Sequence, residues 1–268
     1  MYYYNNYYNH CIAIIFVFNY FFFIKKKKGN DKENNEENEK KTDDLICDKE
    51  FELYEGKCIS YSFVVLYNNT YYFFPEFYLI NPEGIENIYA MKINNSIQAP
   101  ISKIKFNTYE NLYVYFYLQN SYISLSDLFQ GIISMKEISF NNEINNNIIY
   151  NMSKMFYNCI ELQIVNFNSF KGQNVEDISF LFYNCESLKE INFLDFNPIN
   201  SKNMSNMFIN CIHLKSLNLT NFNTQNVIDM SNMFSQCINL ESLDLASFNT
   251  QNVRNISYIF YQAESLKS

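Results

Sequence analysis

Four cysteines recur at an interval of 26 residues, Cys159, Cys185, Cys211 and Cys237, and Ala263 takes the next place in the series. A thiol can ligate a metal, form a disulfide or attack as a nucleophile, and each role demands a partner at a defined spacing. The seven cysteines include no C-x-x-C pair, and the only histidines are His10 and His213, so no metal site is expected. Ile132 and Ala263 share the register of the four cysteines, which therefore read as a buried ladder of inert thiols acting as small apolar side chains. Cys47 and Cys58 differ, because they bracket a short loop, CDKEFELYEGKC, with Gly56 at its turn. An oxidising compartment would close them into a disulfide worth about 3 kcal/mol in the chain-entropy model; a reducing one leaves two free thiols. No nucleophile, base and orienter set, phosphate-binding glycine loop or carboxylate pair stands out, and the whole chain holds five glycines. Neither an enzyme nor a cofactor is expected.

The same period runs through everything around the cysteines. The rungs read MSKMFYNCIELQIVNFNSFKGQNVED from Met152, ISFLFYNCESLKEINFLDFNPINSKN, MSNMFINCIHLKSLNLTNFNTQNVID and MSNMFSQCINLESLDLASFNTQNVRN. A weaker rung, LSDLFQGIISMKEISF, precedes them, and a half rung, ISYIFYQAESLKS, follows. Each of the four full rungs matches the L-x-x-L-x-L signature of leucine-rich repeats, as in Leu214, Leu217 and Leu219. Alternation along a strand turns Val165 and Phe167 inward and leaves Ile164, Asn166, Glu190, Asn192, Ser216, Asn218, Ser242 and Asp244 facing out. In the other half of each rung an Asx precedes apolar residues at helical spacing, as Asp229 precedes Met230, Met233, Phe234 and Cys237. That pattern predicts an N-capped helical turn on the convex side. The fold class expected is thus an α/β solenoid with short parallel strands and short convex-side helices. Asn174, Asn200, Asn226 and Asn252 recur at one position and read as a ladder satisfying turn backbone.

The domains expected are four: a hydrophobic segment (1–28), a charged disordered linker (29–46), a small β-rich cap (47–125) and the solenoid (126–268). Residues 11–24 form an apolar run closed by Lys25 to Lys28. As a helix, such a run covers about 21 Å of a hydrocarbon core ~30 Å thick. Charges after the run fit a cleaved signal poorly, and an anchor of this kind would leave the remainder cytoplasmic. The alternatives are translated AT-rich upstream sequence and a damaged signal. The linker has too few apolar residues to offset its ordering entropy. Short runs such as SYSFVVLY and NLYVYFYL predict the cap, which covers the first rung's core edge. At the other end the array stops in mid-rung at Ser268, which reads as a truncated solenoid.

From Met204 to Asn255 the pattern MSxMFxxCxxLxxLxLxxFNTxNVxD closely resembles the BspA-like leucine-rich repeat. That resemblance covers roughly residues 126–268 and implies a cell-surface protein of attachment and recognition, in a family usually without a defined ligand; the partner expected is a protein or glycan. Ser201 in place of the usual Val, and Pro198 within the turn, depart from the pattern. Six Asn-x-Ser/Thr sequons, at Asn68, Asn94, Asn151, Asn203, Asn218 and Asn255, matter only after secretion.

A net charge of -8 argues against nucleic acid as a partner. The leading expectation is a non-enzymatic interaction or adhesion module that binds through its eight outward strand residues. With few aromatic or Arg anchors among them, affinity per rung should be low and contacts multivalent. The alternative is a membrane-tethered cytoplasmic scaffold using the same repeats.

Overall fold

Parallel backbone hydrogen bonds tie each 26-residue rung to the next on the turn side, and on the strand side at every described step but that from Glu190–Asn192 to Ser216–Asn218. The computed structural model describes residues 52–54, 57–59, 63–67, 76–78, 80, 82, 88–93, 96–101, 103–105, 111–118, 122–141, 144, 148–168 and 170–267. They lie within one unit, Asp44–Ser268. The segments expected as an anchor (11–24) and a linker (29–46) fall outside the described residues, as does Cys47 of the disulfide candidate; of Cys58 only the strand backbone is described.

The N-terminal part contributes β1 (Glu52–Tyr54), β2 (Lys57–Ile59), β3 (Phe63–Tyr67), β4 (Glu76–Tyr78), β5 (Ile88–Ile93), β6 (Ser96–Gln98), β7 (Lys103–Lys105), β8 (Leu112–Leu118) and β9 (Tyr122–Ser124). The repeats contribute β10 (Met135–Phe140), β11 (Ile148–Asn151), β12 (Ile164–Asn166), β13 (Glu190–Asn192), β14 (Ser216–Asn218) and β15 (Ser242–Asp244). One sheet, ordered β13-β12-β10-β3-β8-β5-β6, runs through both parts. Its joint is β10, antiparallel to β3 on one side and parallel to β12 on the other. The antiparallel strands thereby occupy the edge that the first rung would otherwise leave open. Apolar alternation explains the choice of face: Leu112, Val114, Phe116 and Leu118 of β8 are buried, whereas Tyr113 is exposed.

On the opposite side of the repeats a second ladder links Asn151, Asp177, Asn203, Asp229 and Asn255, each bridged to the next. Every one of these Asx side chains accepts the N–H of the serine two residues on, as Asp177 Oδ1 does from Ser179 at 2.8 Å and Asp229 Oδ1 from Ser231 at 2.8 Å. The Asx that suggested a helix cap is therefore an Asx turn.

The convex segments that follow are turns, not the short helices their spacing suggested. From Lys154 onward the amides alternate between two acceptors. Lys154, Phe156 and Asn158 donate to Ser179, Leu181 and Tyr183 of the next rung at 2.9, 3.0 and 2.9 Å. Met155, Tyr157 and Cys159 donate back to Met152, Lys154 and Phe156 within their own rung at 3.3, 3.0 and 3.1 Å. A helix would consume all these donors internally and, at about 10 Å wide, could not stack at the ~4.8 Å spacing of the strands without fanning the rungs apart. A single turn-forming chain can. Its inner face stacks Phe129, Phe156, Phe182, Phe208, Phe234 and Phe260, with successive ring centroids 5.9, 5.3, 5.5, 5.6 and 5.7 Å apart. Beside the strands, Phe140, Phe167 and Phe193 stack at 4.8 and 5.2 Å, so the convex side is slightly the longer.

This turn chain places one residue in every four at positive φ. Asn158, Asn184 and Asn210 hold one such position at φ 59°, and Lys154, Phe180, Asn206, Asn232 and Tyr258 hold the other. Asn is at ease there because its short polar side chain hydrogen-bonds locally, whereas Phe180 bears the ordinary cost of about 1–2 kcal/mol. Phe180→Asn should consequently stabilise the protein by about 0.5–1 kcal/mol, after allowing for lost ring contacts to Tyr157 and Tyr183. A urea midpoint that falls would reject this.

Candidate binding face

The eight outward residues foreseen from the repeat lie in two columns across β12 to β15. The first column is Ile164, Glu190, Ser216 and Ser242; the second is Asn166, Asn192, Asn218 and Asp244. Register pairs Ile164 with Glu190 and Asn166 with Asn192, then Ser216 with Ser242 and Asn218 with Asp244. Beneath them Val165, Leu217, Leu162 and Leu188 are buried and fix the strand faces.

The two columns are not chemically equivalent. Asn192 Oδ1 accepts the Leu194 N–H at 3.1 Å, Asn218 Oδ1 the Thr220 N–H at 3.0 Å, and Asp244 Oδ1 the Ala246 N–H at 2.9 Å. The second column thus ends β13, β14 and β15 in Asx turns, whereas Asn166 of β12 donates from Nδ2 to Ser139 Oγ at 3.3 Å. The first column is exposed at Glu190, Ser216 and Ser242 and makes no such turn. A third column, one residue before each strand, adds Gln163, Lys189, Lys215 and Glu241, and Lys267 holds the same repeat register. Its pairs are Lys189 Nζ to Gln163 Oε1 at 3.1 Å and Lys267 to Glu241 at 3.4 Å, exposed contacts that contribute little to stability. The lysines stand at a single repeat register, which is the signal that marks them in the sequence.

The cysteine ladder lies deep inside. Cys159, Cys185, Cys211 and Cys237 are buried free thiols whose Sγ–H groups donate to the carbonyls of Phe129, Phe156, Phe182 and Phe208 at 3.0, 3.1, 3.2 and 3.0 Å. Burial pushes every one of these thiols well above its ordinary range, Cys237 to about 12. The thiolate is the reactive form, so the ladder is chemically silent at neutral pH. Among the described residues no group of three or more His, Cys, Asp or Glu could hold a metal ion.

Asn200, Asn226 and Asn252 donate from Nδ2 to the carbonyls of Gln173, Ile199 and Gln225 at 2.8, 2.9 and 2.6 Å, closing the turn between rungs. A shallow depression lined by Asn226, Ile228, Gln251, Asn252, Val253 and Arg254 belongs to these same turns and not to the strand face. No helix among the described residues is long and apolar enough to cross a membrane.

A stack of near-identical rungs presenting a polar strand face defines a repeat protein. The family model described as "Mycoplasma protein of unknown function, DUF285" matches residues 115–211 and 191–268, more than half of the chain, and the chain belongs to that family. No curated protein and no solved structure matches it.

Proposed function

We propose that the chain is a non-enzymatic recognition module, a BspA-like leucine-rich-repeat solenoid that binds a protein or glycan at a cell surface through β12 to β15. The observation that carries this reading is the contrast between the two sides of the strands. Inward positions are filled with tightly stacked apolar side chains, while the outward first column offers Glu190, Ser216 and Ser242 with no partner that stability requires. A column free of structural duties is free to meet a ligand. Its small polar groups favour an extended contact spread over several rungs, each contributing weakly.

Ser216→Arg tests the reading without removing an Asx turn. Against an array of purified proteins and glycans, the variant should bind the ligand retained by the parent at least about tenfold more weakly. Its thermal midpoint should stay within a degree or two of the parent's. Equal binding by a folded variant would remove this face from consideration.

A further inference from the structure

The strand ladder of the repeats is broken at one place. β12 pairs with β13 and β14 with β15, but β13 and β14 belong to different sheets. The register one residue before each strand makes the break plain. Gln163 N–H donates to Lys136 O at 2.8 Å, Lys189 to Gln163 O at 3.0 Å, Glu241 to Lys215 O at 2.8 Å and Lys267 to Glu241 O at 3.3 Å. Lys215, alone in this series, has no such bond. Ser216 N–H likewise lacks the second bond of this register, which Glu190 makes to Gln163 O at 3.2 Å and Ser242 to Lys215 O at 3.4 Å.

The convex ladder is continuous across the same boundary. Ile178, Phe180, Phe182 and Asn184 donate to Asn203, Ser205, Met207 and Ile209 at 3.1, 3.0, 2.9 and 2.8 Å. Two rungs are therefore fully laddered along one side, while on the other the strand bonds lapse between the His213 N–H to Glu186 O bond at 3.3 Å and the Asn221 Nδ2 to Leu194 O bond. Ile191, above the gap, is half-buried, while Val165 in the same register is completely covered.

Core packing changes at this boundary. Phe140, Phe167 and Phe193 stack as near-parallel rings, and the same register then passes to Leu219 and Leu245. With no ring to stack on, Phe193 instead meets Phe222 edge-on, at 4.8 Å and 74°. Both sides of the step are laddered internally, Phe over Phe and Leu over Leu.

We propose that the Phe193-to-Leu219 step makes a hinge, at which β10–β12–β13 and β14–β15 rock as two plates about the unbroken convex ladder. The hinge is independent of what the face binds. It divides the strand surface between Asn192 and Ser216, so the curvature offered to any large partner is adjustable at that line.

Hydrogen exchange resolved to single amides tests it on the whole chain. Lys215 and Ser216 should exchange at least about tenfold faster than Lys189 and Glu190, their counterparts one rung earlier. Equal protection would overturn the hinge. Leu219→Phe extends the ring column by one rung and should carry fast exchange forward to Glu241 and Ser242. Phe193→Leu should carry it back to Lys189 and Glu190. If Lys215 stays the fast amide in whichever variant folds, the side-chain step is not the cause and the proposal fails. Spin labels at Asn192 and Asn218, with Cys11, Cys47 and Cys58 replaced by Ser, should give a broader distance distribution than labels at Asn166 and Asn192. Equal widths would exclude rocking.

Discussion

Raising the pH from 8 to about 10.5 is expected to unfold the repeat stack, with the four ladder thiols supplying most of the loss. Each thiol has a folded pKa raised far above its ordinary value of 9.0, because ionising it would place an uncompensated charge among buried phenylalanines. Below that value both states keep the proton and the stability is complete. Above it the unfolded chain releases a proton that the folded chain retains, so stability falls by about 1.4 kcal/mol per pH unit for each thiol. Four thiols together give about 5–6 kcal/mol per unit, enough to exhaust the ~5–15 kcal/mol of a typical domain within one to three units. Buried Tyr67, shifted in the same direction by desolvation, adds to the loss at higher pH. The check is a series of urea titrations from pH 7 to 10.5 on the parent and on a Cys185→Ala, Cys211→Ala double variant. Ala263 already holds this register, so the variant should fold, and its alkaline slope should be roughly halved. Parallel slopes would show that the thiols are not responsible.

Gly172→Ala should destabilise the chain by about 3 kcal/mol or more, whereas Gly131→Ala should cost only about 1 kcal/mol. Both glycines have positive φ, +65° and +72°, so the conformational penalty is shared. They differ in surroundings. A Cβ on Gly172 would stand 2.4 Å from Phe196 Cε2 and 2.7 Å from its Cδ2, while one on Gly131 would meet nothing within 4 Å. The Phe196 ring cannot step aside, being buried and stacked 4.5 Å from Phe167. Denaturant midpoints of the two variants separate the steric term from the conformational one, and equal losses would dismiss the steric term.

Much of the strand side was legible because its information is periodic at two scales. A 26-residue recurrence set which residues stack, and two-residue alternation set which face outward, so Val165 and Ile164 could be assigned to opposite sides. The convex side was misjudged because Met230, Met233, Phe234 and Cys237 have helical spacing, and a chain of turns that buries the same side chains has it too. The distinguishing signal was present in Asn158, Asn184 and Asn210, residues at ease in the left-handed conformation that a helix interior excludes. The double duty of Asn192 and Asn218 was hidden for a different reason. An outward residue that also closes a turn looks no different in sequence from one that only faces solvent. The break between β13 and β14 depends on how two rings tilt, and a one-letter change from Phe193 to Leu219 carries that only when neighbouring rungs are compared.

Sharing of amides between a rung and its successor also makes the molecule a store of length. Each rung adds only about 5 Å along the stack, yet its 26 residues drawn out straight span roughly 90 Å. Under tension the hydrogen bonds joining one rung to the next would part as a group, and the remaining rungs would stay stacked behind the break. A chain built this way lengthens in steps of many times its rung thickness, absorbing a pull one repeat at a time.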